Sequence, residues 1–215
     1  MVSPTLGSLY ELACSLAPCL IYLALVRRRH GLGKGELALS VLFVLYLWQV
    51  FDHTGAGGLV DVLFPPQGVV DRVTGEPLGI IHGSVNLVPF ASVGMPFYLN
   101  ILMFVPLGVF VPALSTRFRR IAPTLAFGVT FSLLIELSQL VTARVTDIDD
   151  LIANTVGTAA GFVVWWLVAG RRRQGRGRHS APARLRGVSP VALAAIAFLF
   201  RVLLFYPFQF SRLIG

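Results

Sequence analysis

Six long apolar runs dominate the chain, at roughly residues 6–26, 37–51, 97–115, 121–141, 151–169 and 188–210. A helix needs about 20 apolar residues to cross about 30 Å of hydrocarbon, so each run predicts a membrane-spanning helix. The second run is short and is expected to borrow residues from its flanks. Charged and amide-bearing side chains crowd one end of these spans. Asn100, Glu136, Gln139 and Asn154 lie near that end of the third, fourth and fifth runs, and Gln49, Asp52 and His53 close the second. Tyr10, Glu11 and Gln209 fall at the same level in the first and last. The opposite halves, residues 37–46, 107–114, 121–129 and 162–169, contain no charge and no side-chain amide. A conduction path needs polar groups at the midplane as well, so this pattern argues against a channel or transporter.

Composition agrees with the pattern. The 215 residues are 55% hydrophobic and 13% charged, with a mean hydropathy of +0.76. The net charge of +8 invites a nucleic-acid reading, but its distribution excludes one. Fourteen of the 18 Lys and Arg residues fall in alternate loops: Arg27, Arg28, Arg29 and Lys34; Arg117, Arg119 and Arg120; and seven arginines between 171 and 186. The positive-inside rule makes those loops cytoplasmic. The fold class is therefore an all-α polytopic membrane protein with about six transmembrane helices, both termini outside, and a long exterior segment between helices 2 and 3. The polar ends of the spans then face outward. The arginine-rich loop reads as a topology anchor beside anionic lipid.

The chain divides into residues 1–51, two N-terminal spans; 52–170, a core of exterior segment and three spans; 171–187, a basic cytoplasmic loop; and 188–215, a C-terminal span. The first 26 residues carry no Lys or Arg, so no cleavable signal peptide is expected and the first span should remain. Cys14 and Cys19 lie five residues apart within it, on different helix faces, and read as small packing residues. In the exterior segment, Thr74-Gly75-Glu76-Pro77 reads as a turn, and its flanks form a short hairpin or lie on the bilayer surface.

The richest chemistry lies in R-V-T-D-I-D-D-L-I-A-N-T-V-G-T-A-A-G, residues 144–161. Ionisable residues running straight into a membrane span mark a functional site by default. Asp147, Asp150, Asn154, Gly157 and Gly161 recur at three- and four-residue steps, one stripe of a helix, so all five should face the same neighbour. Asp147 suits the N-cap of the fifth span, with Asp150 in the capping-box position. Gly157 and Gly161 form G-x-x-x-G, a close-packing signal in membranes. Glu136 and Gln139 share a face and lie opposite Arg144 and the aspartates. The carboxylates have no fixed metal-ligand spacing, so no metal and no cofactor is expected.

Four blocks of the sequence resemble the VanZ-like family: N-L-V-P-F at 86–90, N-I-L-M-F-V-P-L-G at 100–108, S-L-L-I-E-L-S-Q-L at 132–140, and R-V-T-D-I-D-D-L-I-A-N-T-V-G at 144–157. The family pattern marks Asn86, Pro89 and Phe90; Asn100, Pro106 and Gly108; Glu136 and Gln139; and Arg144, Asp147, Asp149, Asp150, Asn154 and Gly157. The family often has a glycine-containing turn before the arginine, where this chain has T-A-R. Gly108 joins Gly157 and Gly161 as a helix-packing residue. The resemblance implies a multi-pass protein of the bacterial cytoplasmic membrane, associated with resistance to teicoplanin-type glycopeptides. On that reading the polar cluster binds a lipid-linked cell-wall intermediate or a lipoglycopeptide, and the partners are such ligands and membrane lipids. Arg144 would contact phosphate or carboxylate. The alternative is a membrane-embedded enzyme modifying a polyprenyl-phosphate-linked or other envelope lipid, with Asp149 or Glu136 as general base. No Ser/His or Cys/His pair supports it, and no catalytic residue is assigned. The oligomeric state is not legible.

Overall fold

A computed structural model describes residues 4–55, 84–91, 93–141, 145–175 and 188–203. Among them are six α-helices: α1 (Pro4–His30), α2 (Lys34–Thr54), α3 (Met95–Leu114), α4 (Ile121–Gln139), α5 (Ile148–Gly175) and α6 (Pro190–Leu203). Two three-residue strands, β1 (Ser84–Asn86) and β2 (Val145–Asp147), complete the described elements together with a 3₁₀ turn at Thr116–Phe118. The chain is an all-α polytopic membrane protein. Four helices are long and apolar enough to cross a membrane: Lys34–Thr54, Met95–Leu114, Ile121–Gln139 and Ile148–Ala169. The described part of α6 is a shorter apolar helix, Pro190–Val202.

The short second run does borrow from its flanks. α2 has 21 residues, about 32 Å at 1.5 Å per residue. Its start is closed by Glu36, whose carboxylate accepts the Gly33 amide at 3.0 Å. It stops at Gly55, whose φ of 60° suits a residue without a Cβ, and whose amide donates to the Phe51 carbonyl at 3.1 Å. α1 stops the same way at Gly31, after Arg27, Arg28 and Arg29 in its last turn. Those arginines also complement the negative end of the helix dipole. α6 opens on a Ser-Pro start: Ser189 Oγ accepts the Ala192 amide at 3.2 Å, and Pro190 takes the first helical position.

The outer surface is largely apolar, and the interior holds polar groups beside an apolar core. Large apolar side chains such as Leu102, Tyr98 and Trp166 face outward, while Glu136, Asp149 and Asn154 are buried. Phe131 of α4 is the hub of the apolar core. Its ring lies 5.6 Å from Phe51 of α2 and 6.2 Å from Phe104 of α3. Phe51 in turn meets Phe198 of α6 at 5.9 Å. α6 is also tied to α1, where the Tyr22 hydroxyl accepts the Ser189 amide at 3.3 Å. The Cys19 thiol lies 3.7 Å from the Leu193 carbonyl. Cys19 is a buried packing residue, as expected; the side chain of Cys14 falls outside the described residues.

α3 and α5 approach most closely, and glycine is the reason. A Cβ on Gly157 would run into the Ile101 carbonyl, one on Gly161 into the Val105 carbonyl, and one on Gly108 into the Thr158 carbonyl. The three glycines interlock from both helices. Without side chains between them the backbones come into direct van der Waals contact, which substitutes in a membrane for the missing hydrophobic drive.

Candidate functional site

The two short strands lie at the polar end of the bundle and set the frame of the site. β1 pairs with β2 in parallel, with Asn86 opposite Asp147. The segment before α3 is thereby laid beside the start of α5. This pairing was not legible in the sequence, which suggested for the flanks of Thr74–Pro77 either a hairpin or a stretch on the bilayer surface; those residues lie outside the described ones.

Asp147 caps α5 as its sequence position predicts. Its Oδ1 accepts the Asp149 amide at 3.0 Å, an N-cap to N2 bond. Its Oδ2 accepts the Asn86 side-chain amide at 3.2 Å. The expected capping box is not built as the sequence suggests. The Asp147 backbone amide goes to Glu136 Oε2 of α4, at 3.3 Å. Asp150, at the capping-box position, instead accepts a 2.6 Å bond from Asn100 Nδ2 of α3. The helix start is thus capped partly from within and partly by its neighbour, which joins α4, β2, α5 and α3 in one network.

Asp149 is only 1% exposed. Its Oδ1 accepts the Phe90 backbone amide at 2.5 Å. Phe90 is the only non-glycine residue with positive φ, at 62°, among the described residues. A left-handed conformation is costly for a residue with a bulky side chain, and such strain collects at ligand-contacting sites. Asn86 supports the same turn: its Oδ1 accepts the Val88 amide at 3.1 Å, a local Asx turn. Pro89 sits inside it and is exposed. The N-L-V-P-F segment is therefore held from below by Asn86, Asp147 and Asp149. Its apolar side chains point away from that support: Leu87 is 71% exposed, Val88 63% and Phe90 66%.

The remaining expected residues divide between two neighbours. Gln139 is buried and donates to the Thr54 carbonyl at the end of α2, at 2.7 Å. Asn154 is buried and donates to Ser132 Oγ of α4 at 2.8 Å. The stripe on α5 does not face a single helix, which corrects the sequence expectation. Gly157, Gly161 and Asp150 meet α3, while Asn154 meets α4. The physical reason is that the stripe lies at the wedge where α3 and α4 both press on α5, and a few tens of degrees around the helix decide the partner. Arg144 lies outside the described residues, as does its expected pairing with a carboxylate.

Sequence reasoning missed Ser132, whose hydroxyl has no periodic signature. It also gave no role to Arg201, which is 7% exposed near the end of α6; a charge inside an apolar run was the available signal. Electrostatically the site is unusual: Glu136, Asp147, Asp149 and Asp150 gather at the N-terminus of α5. There they meet converging amide donors at the positive end of the helix dipole. Each of these carboxylates accepts at least one hydrogen bond from the protein itself. Glu136, Asp147 and Asp149 act as clamps on backbone amides, and Asp149 through one of them on the exposed N-L-V-P-F turn.

Residues 59–169 match the family model described as VanZ/LLP1. A stretch of 89 residues is 36% identical to Protein VanZ of Enterococcus faecium, covering 39% of this chain and 53% of that protein. The chain thus spans about half the length of the curated relative it matches. No solved structure matches it significantly.

Proposed function

We propose, from the premise that this chain belongs to the VanZ/LLP1 family, that it acts at the outer face of the bacterial cytoplasmic membrane. There it binds a lipid-linked cell-wall intermediate or a lipoglycopeptide and lowers susceptibility to teicoplanin-like glycopeptides. The basic loops define the cytoplasmic side, so the start of α5 and the N-L-V-P-F turn face outward. All six spans cross the bilayer in this reading, and both termini lie outside.

The observation that carries this reading is the Asp149–Phe90 bond. A buried carboxylate holds an exposed aromatic residue in a left-handed turn, between exposed Leu87 and Val88. That geometry offers an apolar contact at the level where lipid tails meet head groups, backed by a charged network a few ångströms below. Arg144, adjacent to β2, supplies the anion contact. The enzyme alternative is weaker, because its two candidate bases, Glu136 and Asp149, are buried and each spends an oxygen on a backbone amide.

The test compares strains that lack the protein or express it as wild type, Phe90→Ala or Asp149→Asn, at matched membrane abundance, against a panel of cell-wall antibiotics. Loss of protection against teicoplanin-like agents in both variants is the expected result. Equal protection by all three proteins overturns the assignment of this site.

A further inference from the structure

The two faces of the bundle carry opposite charge. With the orientation set by the basic loops, nine acidic and four basic residues fall on the outer side, a formal net of −5. Fourteen basic residues and one acid, Glu36, fall on the cytoplasmic side, a formal net of +13. The positive-inside rule concerns Lys and Arg, and carboxylates contribute little to it. Topology therefore accounts for the basic face and leaves the acidic one unexplained. The acidic charge is densest beneath the N-L-V-P-F turn. Residues 136–150 hold Glu136, Asp147, Asp149 and Asp150 against one cation, Arg144, a formal net of −3. Asp149 accepts the Phe90 amide, Asp147 the Asn86 side chain and Asp150 the Asn100 side chain. Amide donors are neutral, so these bonds order the carboxylates and leave their charge in place. The exterior segment adds Asp52, Asp61, Asp71 and Glu76 against Arg72. On the far side of the same turn Leu87, Val88 and Phe90 are exposed.

We propose that the outer face selects by charge and that the turn takes a cationic amphiphile. A hydrocarbon chain suits the exposed apolar side chains, and an amine-bearing head suits the acidic field around them. This rests on the outward orientation and the contact surface proposed above, and it narrows the ligand. A field of one sign draws in the complementary charge and raises association rates by ~10–10³. Like charges brought together cost several kcal/mol and turn wrong partners away. The pyrophosphate head of a polyprenyl-linked intermediate is polyanionic and meets this field with the wrong sign. Arg144 then holds a single carboxylate or phosphate on a head whose net charge is positive.

The experiment uses the full-length protein in phosphatidylcholine nanodiscs and two probes with the same photoactivatable alkyl chain. One probe ends in a quaternary ammonium and the other in a phosphate. At about 0.01 M salt, where the Debye length is about 30 Å, the ammonium probe should label residues 87–99 about ten-fold more than the phosphate probe. At about 1 M salt, with a Debye length of about 3 Å, that preference should fall below about two-fold. Asp61→Asn, Asp71→Asn and Glu76→Gln together take the outer face from −5 to −2. None of the three is among Asn86, Asp147 and Asp149, which hold the turn, and the triple variant should cut ammonium labelling about three-fold. Phe90→Ala should lower labelling of the turn by both probes. If the triple variant does not accumulate, the salt series decides. Equal labelling of the turn by both probes, or a preference that ignores salt, leaves the contact surface standing and overturns the charge selection. A preference for the phosphate probe overturns it in favour of a polyanionic lipid. If neither probe labels the turn above the other outward-facing segments, the contact surface itself is wrong and the proposed function fails with it.

Discussion

Glu136 Oε2 takes the Asp147 backbone amide at 3.3 Å, a bond that a helix ordinarily draws from its own third residue. The substitution of a neighbour's side chain for an internal one couples the end of α4 to the start of α5. It also releases Asp150 to bond Asn100 of α3. Glu136→Ala should strand a buried backbone donor, at a cost of about 1–3 kcal/mol. Glu136→Gln keeps an acceptor oxygen in place and should cost less. Thermal inactivation of the detergent-solubilised protein ranks the three, with exposed Asp52→Ala as a control expected to match wild type. Identical midpoints for Glu136→Ala and Asp52→Ala would show that the bond is dispensable.

Asp147 serves two partners, and substitution separates them. Serine restores the bond to the Asp149 amide but offers no second carboxylate oxygen to Asn86. Asp147→Ser should exceed Asp147→Ala in stability by about 1 kcal/mol, the usual worth of an N-cap. Both should loosen the 84–91 segment. Hydrogen exchange at Val88 and Phe90 reads the second effect, and unchanged exchange in both variants would dissociate Asn86 from the cap.

The glycine interlock makes a sharper demand. Gly161→Ala places a methyl group against the Val105 carbonyl. Backbone cannot yield as a flexible side chain can, so a loss at or above the usual overpacking cost of about 1–3 kcal/mol is expected. Ala160→Leu, at the neighbouring exposed position, adds more volume and should be neutral. Membrane abundance and thermal midpoint together decide it. The idea fails if Gly161→Ala accumulates and melts like Ala160→Leu.

Orientation is open to chemical labelling. In a background without Cys14 and Cys19, Leu87→Cys should react with an impermeant thiol reagent in intact cells, because Leu87 is 71% exposed on the turn that the proposed topology places outside. Ser180→Cys, in the basic loop, should react only after lysis. The reverse pattern would invert the topology and move the polar site to the cytoplasmic side.

The four helices long enough to span a membrane were legible because apolar runs are a local signal. So were the cap at Asp147 and the packing role of Gly157 and Gly161, which depend only on spacing along one helix. What escaped was contact between distant short segments. Asn86 and Asp147 are 61 residues apart, and three-residue strands have too few positions to show a period of two. The left-handed turn at Phe90 escaped for a related reason: its support comes from Asp149, not from a glycine that would have announced it. The division of the α5 stripe between α3 and α4 depends on where two neighbours stand, which no single helix encodes.

The bonds between Tyr22 and Ser189 and between Cys19 and Leu193 join α1 to α6, across 167 and 174 residues. During synthesis at about 5–20 residues per second, α1 waits roughly 10–35 s before its partner exists. For that interval its α6-facing side must be sheltered by lipid, the insertion machinery or a temporary neighbour. The bundle can close only once α6 has been made, so a chain truncated ahead of α6 is marked for quality control by its own α1.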